Sequence, residues 1–134
     1  MKYPERRAAI LAHAAPLFAD FGFEGATTAQ LAAAAGITEP VLYRHFANKE
    51  QLYCSVLTWA ADQTIAEWEL ITHGIANTRE QLLAIAAVNQ QLSGAQSSHY
   101  AVLLSAPAAI CHSTGIREAV QEAFASLELS LIHI

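Results

Sequence analysis

Gly36 and its neighbours constrain this chain more than any other feature. Two short amphipathic segments flank it, one from Thr28 through Leu31 and Ala32 to Ala35, the other from about Thr38 to His45. Thr27, Thr28 and Thr38 carry hydroxyls suited to helix starts, and Pro40 is tolerated in a first helical turn. Upstream, Ile10, Leu11, Ala14, Leu17, Phe18 and Phe21 recur at three- and four-residue spacing, which marks one face of a longer amphipathic helix. Pro16 lies inside that helix and is expected to kink it or remove one backbone bond. Gly22 is expected to end it as a left-handed cap. Downstream, Asn48 begins a helix running from near Lys49 to about Ile71, with Val56, Trp59, Ala60, Gln63, Ile65 and Trp68 along it and His73-Gly74 at its end. Two short helices joined by a glycine-containing turn and packed on a longer first helix make a helix-turn-helix. In that motif the second short helix enters the major groove of DNA. A generic three-helix bundle with an incidental glycine turn would share the same spacing.

Composition narrows the class. The chain has 134 residues, 54% hydrophobic and 14% charged, against a typical charged share of about 25%. Disorder is excluded, because it needs low hydrophobicity and high net charge. Alanine supplies much of the apolar count, which favours closely packed helices. The longest uncharged stretch, Gln81 to Ile116, is densely apolar only from about Tyr100 to Cys111 and is interrupted by Pro107. That falls short of the about 20 apolar residues a membrane span needs. The first residues do not read as a secretory signal. Cys54 and Cys111 lack metal-type spacing; two buried thiols in a reducing cytoplasm are expected, with one disulfide left open. A soluble cytoplasmic protein without a metal or other cofactor is the expectation. Residues 1–54 hold five basic and five acidic side chains, whereas residues 55–134 hold two and seven. This asymmetry hints at a nucleic-acid end and a non-nucleic-acid end.

The stretch Thr27-Thr28-Ala29-Gln30-Leu31-Ala32, then Ala35-Gly36-Ile37-Thr38-Glu39-Pro40-Val41-Leu42-Tyr43-Arg44-His45-Phe46, then Asn48-Lys49-Glu50-Gln51-Leu52, resembles the DNA-binding domain of the TetR family of transcriptional regulators. The resemblance is gapless over about residues 6–57. It implies an all-α protein: a three-helix helix-turn-helix domain over 1–50, followed over 51–134 by part of an all-helical ligand-binding and dimerisation domain. By resemblance, Thr28 contacts phosphate, Thr38, Glu39, Pro40 and Val41 read or approach bases, and Tyr43, His45 and Lys49 contact the DNA backbone. Leu31, Ala35, Ile37, Leu42 and Phe46 would be packing residues, as their apolar character suggests. Chemistry adds that a Glu39 carboxylate can accept from a cytosine amino group and Val41 can pack on a thymine methyl. Equally, Glu39 is a carboxylate that the helix dipole favours at a helix start without touching any base. Tyr43 reads as a phosphate donor rather than a core tyrosine. Lys49 opposes the dipole at its helix N-terminus, so an anionic neighbour there would make sense of it. The nearly neutral first domain predicts a modest salt slope per subunit.

Further along, Thr78-x-x-Gln81 spells a capping box, and Leu82, Leu83, Ile85, Ala86 and Val88 make an apolar helix to about Leu92. Residues 93–98 read as a loop, His99 to Cys111 as a helix bent or broken at Pro107, and Ile116 to about Glu128 as a last helix opened by Gly115. Trp59, Trp68, His99, Tyr100, His112 and Phe124 are candidates to line a ligand pocket, with Trp59, Trp68, Tyr100 and Phe124 the chosen set; each is also an ordinary core or surface residue. No nucleophile motif accompanies the serines and histidines, so no enzymatic activity is expected.

The resemblance implies about nine helices, the last two pairing with a partner's in a four-helix interface, and this sequence has room for about seven. Residues 129–134, Leu-Ser-Leu-Ile-His-Ile, also read as the translation of CTG TCT CTT ATA CAC ATC, which resembles a transposon-derived sequencing adapter. The expectation is a native gene cut near Glu128; a short natural end whose leucine and isoleucines pack is the alternative. Together these readings imply a repressor that binds a pseudo-palindromic operator as a homodimer and is released by a small apolar effector. The rival is a helical interaction fragment without competent DNA binding.

Overall fold

The computed structural model of the chain describes residues 3–91, 98–110 and 112–133. Among them every regular element is helical: α1 Tyr3–Gly25, α2 Thr28–Ala34, α3 Glu39–His45, α4 Lys49–Thr72, α5 Thr78–Gln91, α6 Ser98–Ser105 and α7 Thr114–His133, with a 3₁₀ helix at Ala106–Ala109. The fold is all-α, as expected. Of the loop expected over 93–98, only Ser98 is among the described residues, and it opens α6. Cys111 lies outside them.

Local chemistry accounts for most helix ends. Thr27 caps α2 in a reciprocal box with Gln30, its hydroxyl accepting from the Gln30 N–H at 3.2 Å while Gln30 Oε1 accepts from the Thr27 N–H at 3.1 Å. Gly36 closes the turn to α3 at φ 71°, a conformation that costs glycine nothing sterically. Asn48 Oδ1 accepts from the Gln51 N–H at 2.8 Å and starts α4. Thr38 occupies the N-cap of α3 but makes no side-chain cap bond. Pro40, at the second helical position, has no N–H to donate, which leaves the Val41 N–H as the one capping donor within reach.

The break expected at Gly22 is present, while several other boundaries differ from expectation. Gly22 takes a positive φ (75°) with a ψ of 178°, a non-helical pair that ends the long helix there and redirects the chain into a last short turn up to Gly25. That redirection exposes Phe21 and turns Phe23 inward against Tyr53, ring centroids 5.2 Å apart. Pro16 keeps helical dihedrals, so its cost is the missing donor alone. Helix α5 is capped by Asn77, which accepts from the Arg79 N–H at 2.8 Å, and not by Thr78. Gln81 instead donates to the Ile75 carbonyl at 2.5 Å. Pro107 tightens the end of α6 into the 3₁₀ helix. Ser113 rather than Gly115 opens α7, accepting from the Ile116 N–H at 3.0 Å, and α7 continues past Glu128 to His133.

Helix α4 is central, packed against α1, α5, α6 and α7. It crosses the 50/51 boundary without a break, and one apolar cluster runs from Ile10 to Leu127. Ala14, Ala15, Ala60 and Ala61 are buried in it, so the alanine content brings backbones close rather than adding volume. Phe18, fully buried, stands edge-on to Tyr53 with ring centroids 4.9 Å apart. No helix among the described residues is long and apolar enough to cross a membrane.

Burial pushes the Tyr53 phenol up to about 12 from 10.0, with the neighbouring Cys54 adding to the shift. The neutral ring is therefore the form that folding favours. Its contribution is complete below pH 10 and is lost as pH rises through the folded value. Chemical denaturation at stepped pH is expected to show stability falling by roughly 2–3 kcal/mol across that window. The ultraviolet signal of Tyr53 ionisation should appear together with unfolding.

Candidate nucleic-acid interface

Helix α3 spends its apolar residues on holding itself down. Leu42 is 2% exposed and Phe46, just past its end, 3%. Leu31 of α2 is buried beneath them, while Ala35 and Ile37 pack partly buried against the same core. The packing role expected of all five is the observed one. What remains outward is Thr38, Glu39, Pro40, Tyr43 and Arg44, all exposed.

The other expected contact residues are placed less simply. Thr28, at the start of α2, donates from Oγ1 to the Glu39 carboxylate at 3.4 Å, so a hydroxyl expected on phosphate and a carboxylate expected on a base hold each other. Val41 is half-buried and lines an open groove of about 520 Å³ with Arg6, His13 and Gly36. Lys49 donates to the Glu24 carbonyl at 3.3 Å, and its ammonium sits 4.9 Å from the Phe23 ring centroid. Its neighbours at the α4 start are thus a carbonyl and an aromatic face. His45 is half-buried, and its imidazole is held below the usual range by burial and by the positive charges of Arg6 and Arg7. A neutral ring there can still donate a hydrogen bond but brings no charge to a phosphate.

Arg7 is a residue that the periodicity did not single out. From α1 its guanidinium donates to the His45 carbonyl at 3.4 Å and to Ser55 Oγ of α4 at 3.3 Å. Its plane also lies over the Phe46 ring, 4.4 Å from the centroid. Arg44, exposed in the last turn of α3, also escaped notice.

The candidate pocket residues are not gathered in one cavity among the described residues. Trp59 lines an open cleft of about 420 Å³ between α1, α4 and α7, with Cys54, Asp62 and Glu122. Burial and the Glu50 charge raise the Cys54 thiol, which is the free cysteine among the described residues. Trp68 and Tyr100 meet elsewhere, around Glu67, whose carboxylate accepts from Tyr100 Oη and lies 2.8 Å from His99 Nε2. Burial and the Glu67 carboxylate raise the Tyr100 phenol. Phe124 packs partly buried on the main core, and His112 pairs with Glu24 at 3.0 Å beside the Phe23 ring. Glu67 was missed because a single acid on an amphipathic helix reads as a solvated one.

Residues 10–56, which contain α2, α3 and the first two turns of α4, match the sequence profile of bacterial regulatory proteins of the tetR family. Over those residues the chain carries the tetR-family pattern. Among similar proteins is the HTH-type transcriptional activator FasR of Mycolicibacterium smegmatis, 34% identical over 80 residues that make up 60% of this chain and 36% of that protein. The HTH-type transcriptional repressor KstR2 of Mycobacterium tuberculosis is 36% identical over 77 residues, 58% of this chain and 38% of that protein. The chain spans little more than a third of the length of these curated relatives. The fold extends further than the sequence likeness. A transcriptional regulator from Rhodococcus sp. Rha1 superposes with a TM-score of 0.70 at 24% identity, over 99% of this chain and 71% of that one. The ketosteroid regulator KstR2 does so at 0.67 and 22%, over 94% and 64%.

Beyond the shared core, the α6–α7 connection makes polar contacts that tie the helix-turn-helix to the rest of the helical body. Ser113, at the start of α7, donates to the Glu50 carboxylate in the first turn of α4. The Gly115 carbonyl accepts from Cys54 Sγ at 3.8 Å, and a Cβ on Gly115 would come within 3.4 Å of Glu50 Oε1. With the His112–Glu24 pair, three residues between 112 and 115 rest on the end of α1 and the first turns of α4.

Proposed function

We propose that the chain is a DNA-binding transcriptional regulator rather than an enzyme, with residues 1–50 reading DNA and residues 51–134 forming a helical regulatory body. The observation that carries this is α3: seven residues, one buried leucine, and an outward row of Thr38, Glu39, Pro40, Tyr43 and Arg44 at the major-groove position of a helix-turn-helix. In the whole protein two copies would set their recognition helices about one helical turn, roughly 34–36 Å, apart on a pseudo-palindromic operator. A small apolar effector would favour a different separation and so release the operator. Repression in the cytoplasm is the sense we propose; the relatives named above include both an activator and a repressor. Trp59, Trp68, Tyr100 and Phe124 are proposed as effector contacts, with Trp68 and Tyr100 sharing the Glu67 station. The α6–α7 junction on Glu24 and Glu50 is the route by which the body would move the DNA-reading helices.

Fluorescence-anisotropy titration against DNA flanking its own gene, with scrambled DNA as control at two salt concentrations, tests this. The expected result is saturable, salt-weakened binding that prefers the flanking DNA. Tyr43→Phe should weaken binding to both DNAs by about three- to tenfold, the loss of one phosphate hydrogen bond. Glu39→Ala should change which sequence is preferred. Equal weak binding to both DNAs, or a monomer at binding concentrations, would favour the helical interaction fragment.

A further inference from the structure

We propose that Arg7 is a positioning residue for DNA reading: it clamps the C-terminal turn of the recognition helix to α1 and α4 without touching DNA. This rests on the DNA-binding reading of α3.

A seven-residue helix has no independent stability and takes its position from what grips it. Within α3 the grip on the apolar side is Leu42, with Phe46 following at the C-cap. At the polar end the last carbonyls have no intrahelical donor. Arg7 supplies one to His45, and its positive charge stands where the helix dipole is negative. The same guanidinium donates to Ser55 on α4 and stacks on Phe46. One planar group therefore ties three helices at fixed angles. A lysine keeps the charge but has neither the fork nor the plane, so it cannot make the three contacts together. Because Arg7 is engaged on protein atoms at the rear of α3, its charge is not offered to phosphate. Arg44, exposed on the same helix, is the contrasting case.

The test compares Arg7→Gln, Arg7→Lys and Arg44→Gln, using the gene-flanking and scrambled DNAs across a salt series. Amide exchange of the free proteins is measured alongside. Both Arg7 variants are expected to lose about tenfold in preference for flanking over scrambled DNA while the slope of log affinity against log salt stays at the wild-type value. Arg44→Gln should instead reduce that slope by about one. In the free protein the Phe46 N–H, bonded to the Leu42 carbonyl at 3.1 Å, should exchange at least tenfold faster in both Arg7 variants. The Leu31 and Ala35 N–H groups of α2 should keep their rates. A salt slope that falls by about one in Arg7→Gln and returns in Arg7→Lys would overturn the proposal, since Arg7 would then be a phosphate contact. Uniformly faster exchange in α2 and α3, with both DNAs weakened equally, would also overturn it, as that is loss of stability alone. If Arg7→Gln does not fold, Arg7→Lys carries every readout. If the wild-type chain shows no DNA preference, the DNA-binding reading fails, and the selective exchange at Phe46 still decides whether Arg7 clamps α3.

Discussion

Phe18→Ala is expected to destabilise the chain by about 3–5 kcal/mol, the cost of removing a fully buried aromatic ring from a close-packed core. The ring meets Tyr53 edge-on at 4.9 Å, and such pairs add about 0.5–1.5 kcal/mol beyond the area they bury. Domains of this kind have only about 5–15 kcal/mol in total, so this one change removes a large fraction. Its location decides the consequence. Phe18 lies on α1 and Tyr53 on α4, so the cavity opens between the helix that carries Arg7 and the helix that carries Ser55. Urea unfolding should show the midpoint falling with the slope unchanged. A loss under about 1 kcal/mol would mean that the α1–α4 contact is not what holds the two helices together.

Leu42→Ala is expected to act more on function than on global stability. The truncation should cost about 2–4 kcal/mol, because Leu42 is the buried residue within α3 and a helix of seven residues cannot stay docked on propensity alone. The exposed row from Thr38 to Arg44 keeps all its groups, yet loses its fixed orientation. Binding to the gene-flanking DNA should fall by at least a hundredfold, about 2.7 kcal/mol, while circular dichroism still shows a helical protein. Retained affinity would mean that Phe46 and Arg7 suffice to seat the recognition helix.

Much of this was legible in the residues themselves, for local reasons. The three- and four-residue recurrence from Ile10 to Phe18 names a helix face because 3.6 residues make a turn. Thr27, Gly36, Asn48 and Gly74 mark helix ends through side-chain oxygen caps and positive φ, which depend on a few neighbouring atoms. Leu31, Leu42 and Phe46 were identifiable as packing residues by the resemblance and by their apolar character. The run through Tyr43-Arg44-His45-Phe46 carried the resemblance to the tetR family.

What the chain hid was every feature made by side chains far apart in sequence. Gly22 was recognisable as a break, but its ψ, which sends Phe23 inward and leaves Phe21 outside, depends on Tyr53 lying beside it. Asn77 displaced Thr78 as a cap because an amide reaching two N–H groups competes with a hydroxyl one residue on. Thr28 holding Glu39, Lys49 turned onto Phe23 and Glu24, and Glu67 meeting His99 and Tyr100 are pairings across 11 to 33 positions. Arg7 looks like any surface arginine until α3 and α4 close on it, 38 and 48 residues away.

The sequence by itself therefore determined the helices, several of their caps and the apolar face of α3, because each follows from contacts within about one or two turns. Only the tertiary structure decided which polar groups are spent on protein and which remain exposed. That division depends on which distant helix ends the shared core brings within hydrogen-bond reach, and no local pattern encodes it.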